Sequence, residues 1–163
     1  VLVSSSGKNL LEPDAIDIMK RELFPRVDVI TPNIPEVHTL LGSNLYRGKK
    51  EEVKATAKQF FNLGVNAVLL KGGHSEDTDS VTDYLAEKTD SITTHSSKRV
   101  ETTHTHGTGC LLSSAIATYL ASGHILEKSV SLSKQFIYER LCASAKLKLN
   151  YRTEKSTTKE PIF

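Results

Sequence analysis

Three short apolar runs separated by helical patterns constrain the fold of this chain more than any other feature. The runs lie at 1–4, 28–32 and 67–71, and their apolar residues are mostly consecutive rather than alternating. Consecutive apolar residues are typical of strands buried on both faces of a parallel sheet. The sequence therefore predicts an α/β fold of three layers, in which helices cover both faces of a mainly parallel central sheet.

Capping residues predict where the first helices begin and end. Pro13 suits the first turn of a helix whose apolar residues recur at helical spacing until Pro25 stops the pattern. Asn33 can cap a helix over 34–41, and Gly42 can end it.

The remaining pattern predicts further helices and short strands at a sheet edge. An amphipathic helix is expected over 50–63, and short meandering strands at a sheet edge are expected within 79–101. The run 111–121 is apolar nearly all round and predicts a buried helix, and a longer amphipathic helix is expected over 127–149.

The composition is that of an ordinary globular protein. The 163 residues include 21 basic and 19 acidic ones, a net charge of +2 without any block of charge. This pattern offers neither nucleic acid nor an anionic membrane a surface to bind. With no leader and no apolar run of bilayer length, we expect a cytoplasmic protein. We expect one domain over 1–149 and a loosely packed tail over 150–163, and the apolar start without Met suggests a piece of a longer protein.

The stretch THTHGTGC, which ends at Cys110, admits three chemical hypotheses. His104, His106 and Cys110 could supply three metal ligands, although the other histidines fall at no ligand spacing. Cys110 could instead be a nucleophile activated by a nearby histidine. Third, Gly107 and Gly109 allow the backbone to approach an anion at the positive end of the following helix, where the field also favours a thiolate. The plainest alternative is a helix entry turn beside a buried cysteine.

Two further loops strengthen the anion hypothesis. Lys71 precedes Gly72 and Gly73 at a predicted strand end, where it could direct one positive charge at a polyphosphate. Asn33 and Glu36 place an amide and a carboxylate three residues apart at a helix start, where Glu36 can hold water on magnesium. The alternatives are a solvated lysine and a capping box. Because ligands bind at the carboxyl ends of parallel strands, we expect these loops to meet there.

In this order and spacing, the segments TPNIPE (31–36), VLLKGGH (68–74) and HTHGTGCLLSSAIA (104–117) resemble the hydroxymethylpyrimidine and phosphomethylpyrimidine kinases of thiamine biosynthesis. The opening VLVSSSGKNLL is also similar to that family, so the resemblance covers residues 1 to about 148. It implies a ribokinase-like fold, use of ATP and Mg²⁺, and a homodimer.

The resemblance also implies roles for individual residues. Cys110 takes the position of the catalytic base, where relatives in the superfamily usually carry an aspartate. The resemblance implies that Gly107, Thr108 and Gly109 bind the transferred phosphoryl group and that Lys71, Gly72, Gly73 and Thr108 bind the nucleotide. It also implies that Val1 and Cys110 bind the pyrimidine and that Asn33 and Glu36 bind magnesium through water. The family's N-terminal half is absent here, so we do not expect the chain alone to turn over substrate.

Three other functions stay open at this point. A pyridoxal-type vitamin kinase is the nearest alternative, because relatives overlap in their substrates. A nucleotide-binding module without catalysis is a second alternative. A cysteine hydrolase or transferase is a third, and it predicts a covalent adduct on Cys110.

Overall fold

The computed structural model describes residues 11–42, 44, 46–72, 79–102 and 107–145. The helices and strands in these ranges are α1 (Pro13–Ile18), α2 (Ile34–Leu41), α3 (Lys50–Asn62), β1 (Ala67–Leu70), β2 (Ser80–Glu87), β3 (Ile92–Lys98), α4 (Thr108–Ala121) and α5 (Leu126–Ala145). A π-helical turn (Met19–Leu23) and a 3-10 turn (Phe24–Arg26) continue α1. Among the described residues, no helix has both the length and the apolar character needed to cross a bilayer.

The sheet is built around β1. On one side, β1 pairs antiparallel with β2, which pairs antiparallel with β3. On the other side, parallel bridges join Ile30 to Val68 and Asn33 to Lys71. The strand expected over 28–32 is thus present as a bridged segment, and the named strand pairs are antiparallel rather than parallel. The short turn between β2 and β3 accounts for the antiparallel direction of that pair, because strands joined by a hairpin run antiparallel.

The predicted boundaries of α2 and α3 are confirmed to within a residue. α2 begins after Asn33 and ends at Gly42, whose φ of 65° lies in the left-handed region. α3 ends at Asn62, shortly before Gly64. The expected edge strands are confirmed as β2 and β3.

Alternate residues of β1 point to opposite faces of the sheet and separate two cores. Val68 and Leu70 pack in a core that contains residues of α2 and α3, Phe60 among them. Ala67 and Leu69 pack in a second core with residues of α4 and α5. Helices therefore cover both faces of the sheet, which confirms the three-layer prediction.

The expectation that the helix over 111–121 is buried is wrong for the described part of the chain. In α4 only Leu112 and Ile116 are buried, and Leu111 is 41% exposed. A groove of about 820 Å³ runs beside this helix, between its apolar residues and the segment that includes Ile30. The apolar character of α4 therefore exceeds what α5 and the sheet cover.

Candidate active site

The site lies where the end of β1 meets the starts of α2 and α4. Lys71 follows β1 directly and is bridged in parallel to Asn33, the residue that precedes α2. A Cβ placed on Gly109, in the first turn of α4, would lie 3.3 Å from Lys71 Nζ. Two of the three predicted loops thus meet at the lysine, and the glycine of the third adjoins its ammonium group.

Lys71 is largely enclosed and lies beside a carboxylate. Its Nζ is 4.0 Å from Glu36 Oε2, and the two side chains are 16% and 7% exposed. This contradicts the alternative of a solvated lysine. The positive charge is held next to the backbone of α4, and Gly109, which has no side chain, allows this close approach.

The start of α4 has the form that the anion hypothesis requires. Gly107 has a φ of 79° and, as the residue before the helix, supplies no side-chain cap of its own. The first helical hydrogen bond runs from Leu111 N–H to Gly107 O at 2.9 Å, so the amides of residues 108–110 lie ahead of the helical ladder. Cys110 is exposed in this first turn, and the alternative of a buried cysteine is therefore wrong.

The start of α2 is closed by its own side chains. Asn33 Oδ1 accepts the Glu36 N–H at 2.8 Å, and Glu36 Oε2 accepts the Asn33 N–H at 2.9 Å. This is the capping box that the sequence left open as an alternative to a magnesium site. Glu36 is 5% exposed, and the box directs its carboxylate toward Lys71.

A hydroxyl pair joins the segment before α2 to the first turns of α4. Thr31 Oγ1 and Ser113 Oγ are 2.9 Å apart, and Ser113 Oγ donates to Gly109 O at 3.0 Å. The segment before α2 is thereby linked directly to the first turn of α4.

Sequence reasoning missed a buried ion pair behind Lys71. Asp83 Oδ2 is 2.5 Å from Lys134 Nζ, and its Oδ1 accepts the Gly72 N–H at 2.9 Å. His95 lies opposite Asp83 in the strand register. Burial, and then the Lys134 ammonium, lower the pKa of His95 below its usual value. No spacing rule joins residues that are 51 positions apart.

Several predicted site residues lie outside the described residues. These are Val1, Gly73 and the histidines of the metal and nucleophile hypotheses, His104 and His106. Within the described ranges, no group of three His, Cys, Asp or Glu side chains is arranged to hold a metal ion.

Comparison with known proteins adds the family. A family model described as phosphomethylpyrimidine kinase matches residues 1–155. A thiamine biosynthesis bifunctional protein of Geobacter sulfurreducens is 41% identical over 137 residues, which cover 84% of this chain and 27% of the relative. A hydroxymethylpyrimidine/phosphomethylpyrimidine kinase of Staphylococcus aureus is 37% identical over 138 residues, which cover 84% of this chain and 49% of the relative. The chain thus spans about half the length of that kinase.

Solved structures agree on the fold. The crystal structure of a phosphomethylpyrimidine kinase from Clostridium difficile matches with a TM-score of 0.69 and 34% identity, over 86% of this chain and 55% of that one. A pyridoxal kinase from Staphylococcus aureus in complex with AMP-PCP matches with a TM-score of 0.74 and 28% identity, over 85% of this chain and 49% of that one. The ribokinase-like fold expected from the sequence is confirmed by these matches.

Proposed function

The chain belongs to the phosphomethylpyrimidine kinase family, and from this we propose that it supplies the phosphoryl-transfer site of an ATP-dependent kinase. The proposed reaction phosphorylates 4-amino-5-hydroxymethyl-2-methylpyrimidine and then its monophosphate. The observation that carries the proposal is the position of Lys71 Nζ beside Gly109, at the start of α4. Because the chain spans about half of its kinase relatives, the complete reaction is proposed for the full-length gene product.

Lys71 and the start of α4 act together on negative charge. Phosphoryl transfer depends mainly on positioning and on stabilising charge at the transferred group. The proposed role of Lys71 is to neutralise the phosphates of ATP, together with Gly72 and Gly73, which follow it in the sequence. The amides of Gly107, Thr108 and Gly109 would receive the oxygens of the transferred group, because helix N-terminal amides bind anions.

Cys110 is the proposed base for the acceptor. Its exposed side chain, in the first turn of α4, is open to an incoming substrate. A primary alcohol needs help to lose its proton, whereas a phosphate monoester, with a second pKa of about 6, is already largely ionised at neutral pH. Cys110 is therefore more important for the first phosphorylation than for the second.

Asn33 and Glu36 fit a magnesium ion that is held mainly by the nucleotide and by water. Mg²⁺ commonly keeps several waters and takes one or two protein carboxylates. Here a single buried carboxylate is offered, already hydrogen-bonded within its own helix start. We therefore propose contact through water, and the ion would offset phosphate charge on the side of Lys71 that faces α2.

Lys71→Met tests the phosphate site, with Lys58→Met on the exposed face of α3 as the matched control. Isothermal titration of the full-length gene product with ATP and Mg²⁺ should show affinity lost on the order of 10²-fold in Lys71→Met, because a positive charge facing phosphates is removed from a site with little water. Lys58→Met should bind like the wild type. Equal affinities in all three proteins would refute the proposed site.

The acceptor is tested separately. Phosphorylation rates are compared for hydroxymethylpyrimidine, its monophosphate and pyridoxal. The likeness to the Staphylococcus aureus pyridoxal kinase makes pyridoxal the second candidate. A higher kcat/KM for pyridoxal would replace the pyrimidine assignment, and nucleotide binding without transfer to any acceptor would indicate a binding module.

Assembly and location complete the proposal. We propose a cytoplasmic homodimer, in keeping with the family resemblance. Analytical ultracentrifugation of the full-length gene product gives the oligomeric state, and a monomer at micromolar concentration would contradict the dimer.

A further inference from the structure

The backbone of Lys71 is held from both sides. Its own N–H donates to Pro32 O at 3.0 Å, which fixes the peptide plane before it. The N–H of Gly72 donates to Asp83 Oδ1 at 2.9 Å, which fixes the peptide plane after it. Since peptide units are planar, two fixed planes restrict φ and ψ of Lys71 and set the direction in which its side chain leaves the chain.

Asp83 is placed for this contact by an ion pair. It is 5% exposed, and a buried carboxylate is costly unless it is paired and hydrogen-bonded. Lys134, from α5, lies 2.5 Å from Oδ2, which leaves Oδ1 directed at Gly72. Each carboxylate oxygen therefore has its own partner, and a hydrogen bond to an ionised acceptor is stronger than a neutral one.

The backbone at Gly72 is close enough to β2 to need a glycine. A Cβ at this position would lie 2.0 Å from Thr82 O. The close approach brings the Gly72 N–H to the residue that follows Thr82, which is Asp83. The geometry thus joins α5, through β2, to the residue after Lys71.

We propose that Asp83, paired with Lys134, is a positioning residue for the kinase: it fixes the peptide after Lys71 and so directs the Lys71 ammonium at the start of α4. This inference rests on the proposed function, because it assigns Asp83 a role in binding the phosphates of ATP. It concerns residues on β2 and α5, outside the loops proposed to bind the nucleotide.

Two double variants separate the effect of the hydrogen bond from Gly72 to Asp83 from the effect of the charges on Asp83 and Lys134. Asp83→Asn with Lys134→Met removes both charges and keeps an oxygen acceptor for Gly72. Asp83→Leu with Lys134→Met has a similar shape but no acceptor. Replacing a buried ion pair with uncharged groups is often nearly neutral for stability, so both proteins should fold, as thermal unfolding will verify. If the leucine variant does not fold, Asp83→Ser with Lys134→Met replaces it, because the serine hydroxyl is too short to reach Gly72.

The readouts are the ATP affinity and the exchange of the Gly72 amide. In the full-length gene product we expect the variant without the acceptor to bind ATP about tenfold more weakly than the asparagine variant, the effect of one lost hydrogen bond. KM for ATP should rise while KM for the acceptor stays constant, and Gly72 amide exchange should accelerate only where the acceptor is missing. Equal ATP affinities in the two double variants would overturn the inference.

A cycle with Lys71→Met separates positioning from general stability. If Asp83 acts through Lys71, the difference between the two double variants should shrink in the Lys71→Met background, because coupled sites are not additive. An undiminished difference would show a merely structural role. If the wild type does not bind ATP, the proposed function fails and this inference fails with it. If Lys71→Met weakens binding but the double variants agree, this inference alone is wrong.

Discussion

The two helices that begin beside Lys71 satisfy their first turns in opposite ways. α2 starts behind Asn33 and Glu36, whose side chains and backbone amides bond each other reciprocally. α4 starts behind Gly107, which has no side chain and a left-handed φ of 79°. The first arrangement caps a helix with its own side chains, whereas Gly107 supplies no side chain to the positive end of α4. Lys71 therefore lies between two different helix starts. The start of α2 is capped by its own side chains, and the start of α4 is the proposed phosphoryl site.

The largest effect is expected when an acidic side chain is introduced at the start of α4. Gly109→Asp places a carboxylate against Lys71 Nζ, where the Cβ position is already 3.3 Å away. We expect kinase activity to fall on the order of 10²-fold or more, because the carboxylate occupies the anion position. Stability should rise by about 0.5–1 kcal/mol, because an acid in the first turn interacts favourably with the helix dipole. Activity assays and thermal unfolding measure both effects.

The control is Ser114→Asp, which adds the same charge at an exposed position further along α4. This variant should keep its activity. If Gly109→Asp also keeps its activity, the start of α4 is not the phosphoryl site.

The next prediction is that a change at Cys110 affects the two phosphorylations to different extents. Cys110→Ser keeps the size of the exposed side chain and weakens its ability to accept a proton. We expect the rate with the alcohol substrate to fall about tenfold or more, because a general base contributes on the order of 10²–10⁴-fold and the serine hydroxyl replaces it only weakly. The rate with the monophosphate should change much less. Steady-state rates for both acceptors measure this, and equal losses would contradict the assigned role of Cys110.

An aspartate in place of Cys110 distinguishes a general base from a covalent nucleophile. Cys110→Asp should retain kinase activity, because the family resemblance implies that an aspartate can serve as the base at this position. A covalent mechanism at sulfur would lose all activity in this variant and would show a protein adduct by mass spectrometry in the wild type.

The contrast between the helix starts also shows how far the sequence predicts the structure. The α2 start could be predicted because its information is local: an Asn, a Glu three residues on and a closing Gly42. The glycines at the α4 start were equally local. The antiparallel pairs of the sheet and the Asp83–Lys134 contact are not, since they join distant segments whose register depends on packing. The burial of α4 was overestimated because apolar character does not specify which neighbour covers it.

A smaller effect is expected from removing the capping box at the start of α2. Asn33→Ala removes the side-chain acceptor of the Glu36 N–H and should lower the free energy of unfolding by about 1 kcal/mol. Asn33→Ser keeps a capping oxygen and should be close to the wild type, as chemical denaturation will measure. Both variants lose the amide proposed for the magnesium shell, so both should need more Mg²⁺ for half-maximal activity. If only the alanine variant needs more, Asn33 acts through the cap alone.

The smallest expected effect is a pH dependence of the free energy of unfolding that arises from His95, which lies opposite Asp83 in the strand register. Burial, and then Lys134, lower the pKa of His95, with Glu127 and Asp83 acting in the opposite direction. An unfolded chain, with a histidine pKa of about 6.5, therefore binds a proton at a pH where the folded chain does not. The free energy of unfolding should fall as the pH drops below that value and should level off beneath the folded pKa.

His95→Gln should reduce this pH dependence, and His124→Gln, at an exposed position, serves as the matched control. Denaturation between pH 5 and 8 compares the three proteins, at pH values set by the histidine range. Because His95 lies opposite Asp83, acid should also lower the protection of the Gly72 amide, measured as its exchange rate relative to the intrinsic rate at the same pH, before it affects the α2 start. Simultaneous loss of protection at both helix starts would instead show that acid unfolds the chain as a whole, and that the two starts are not supported independently.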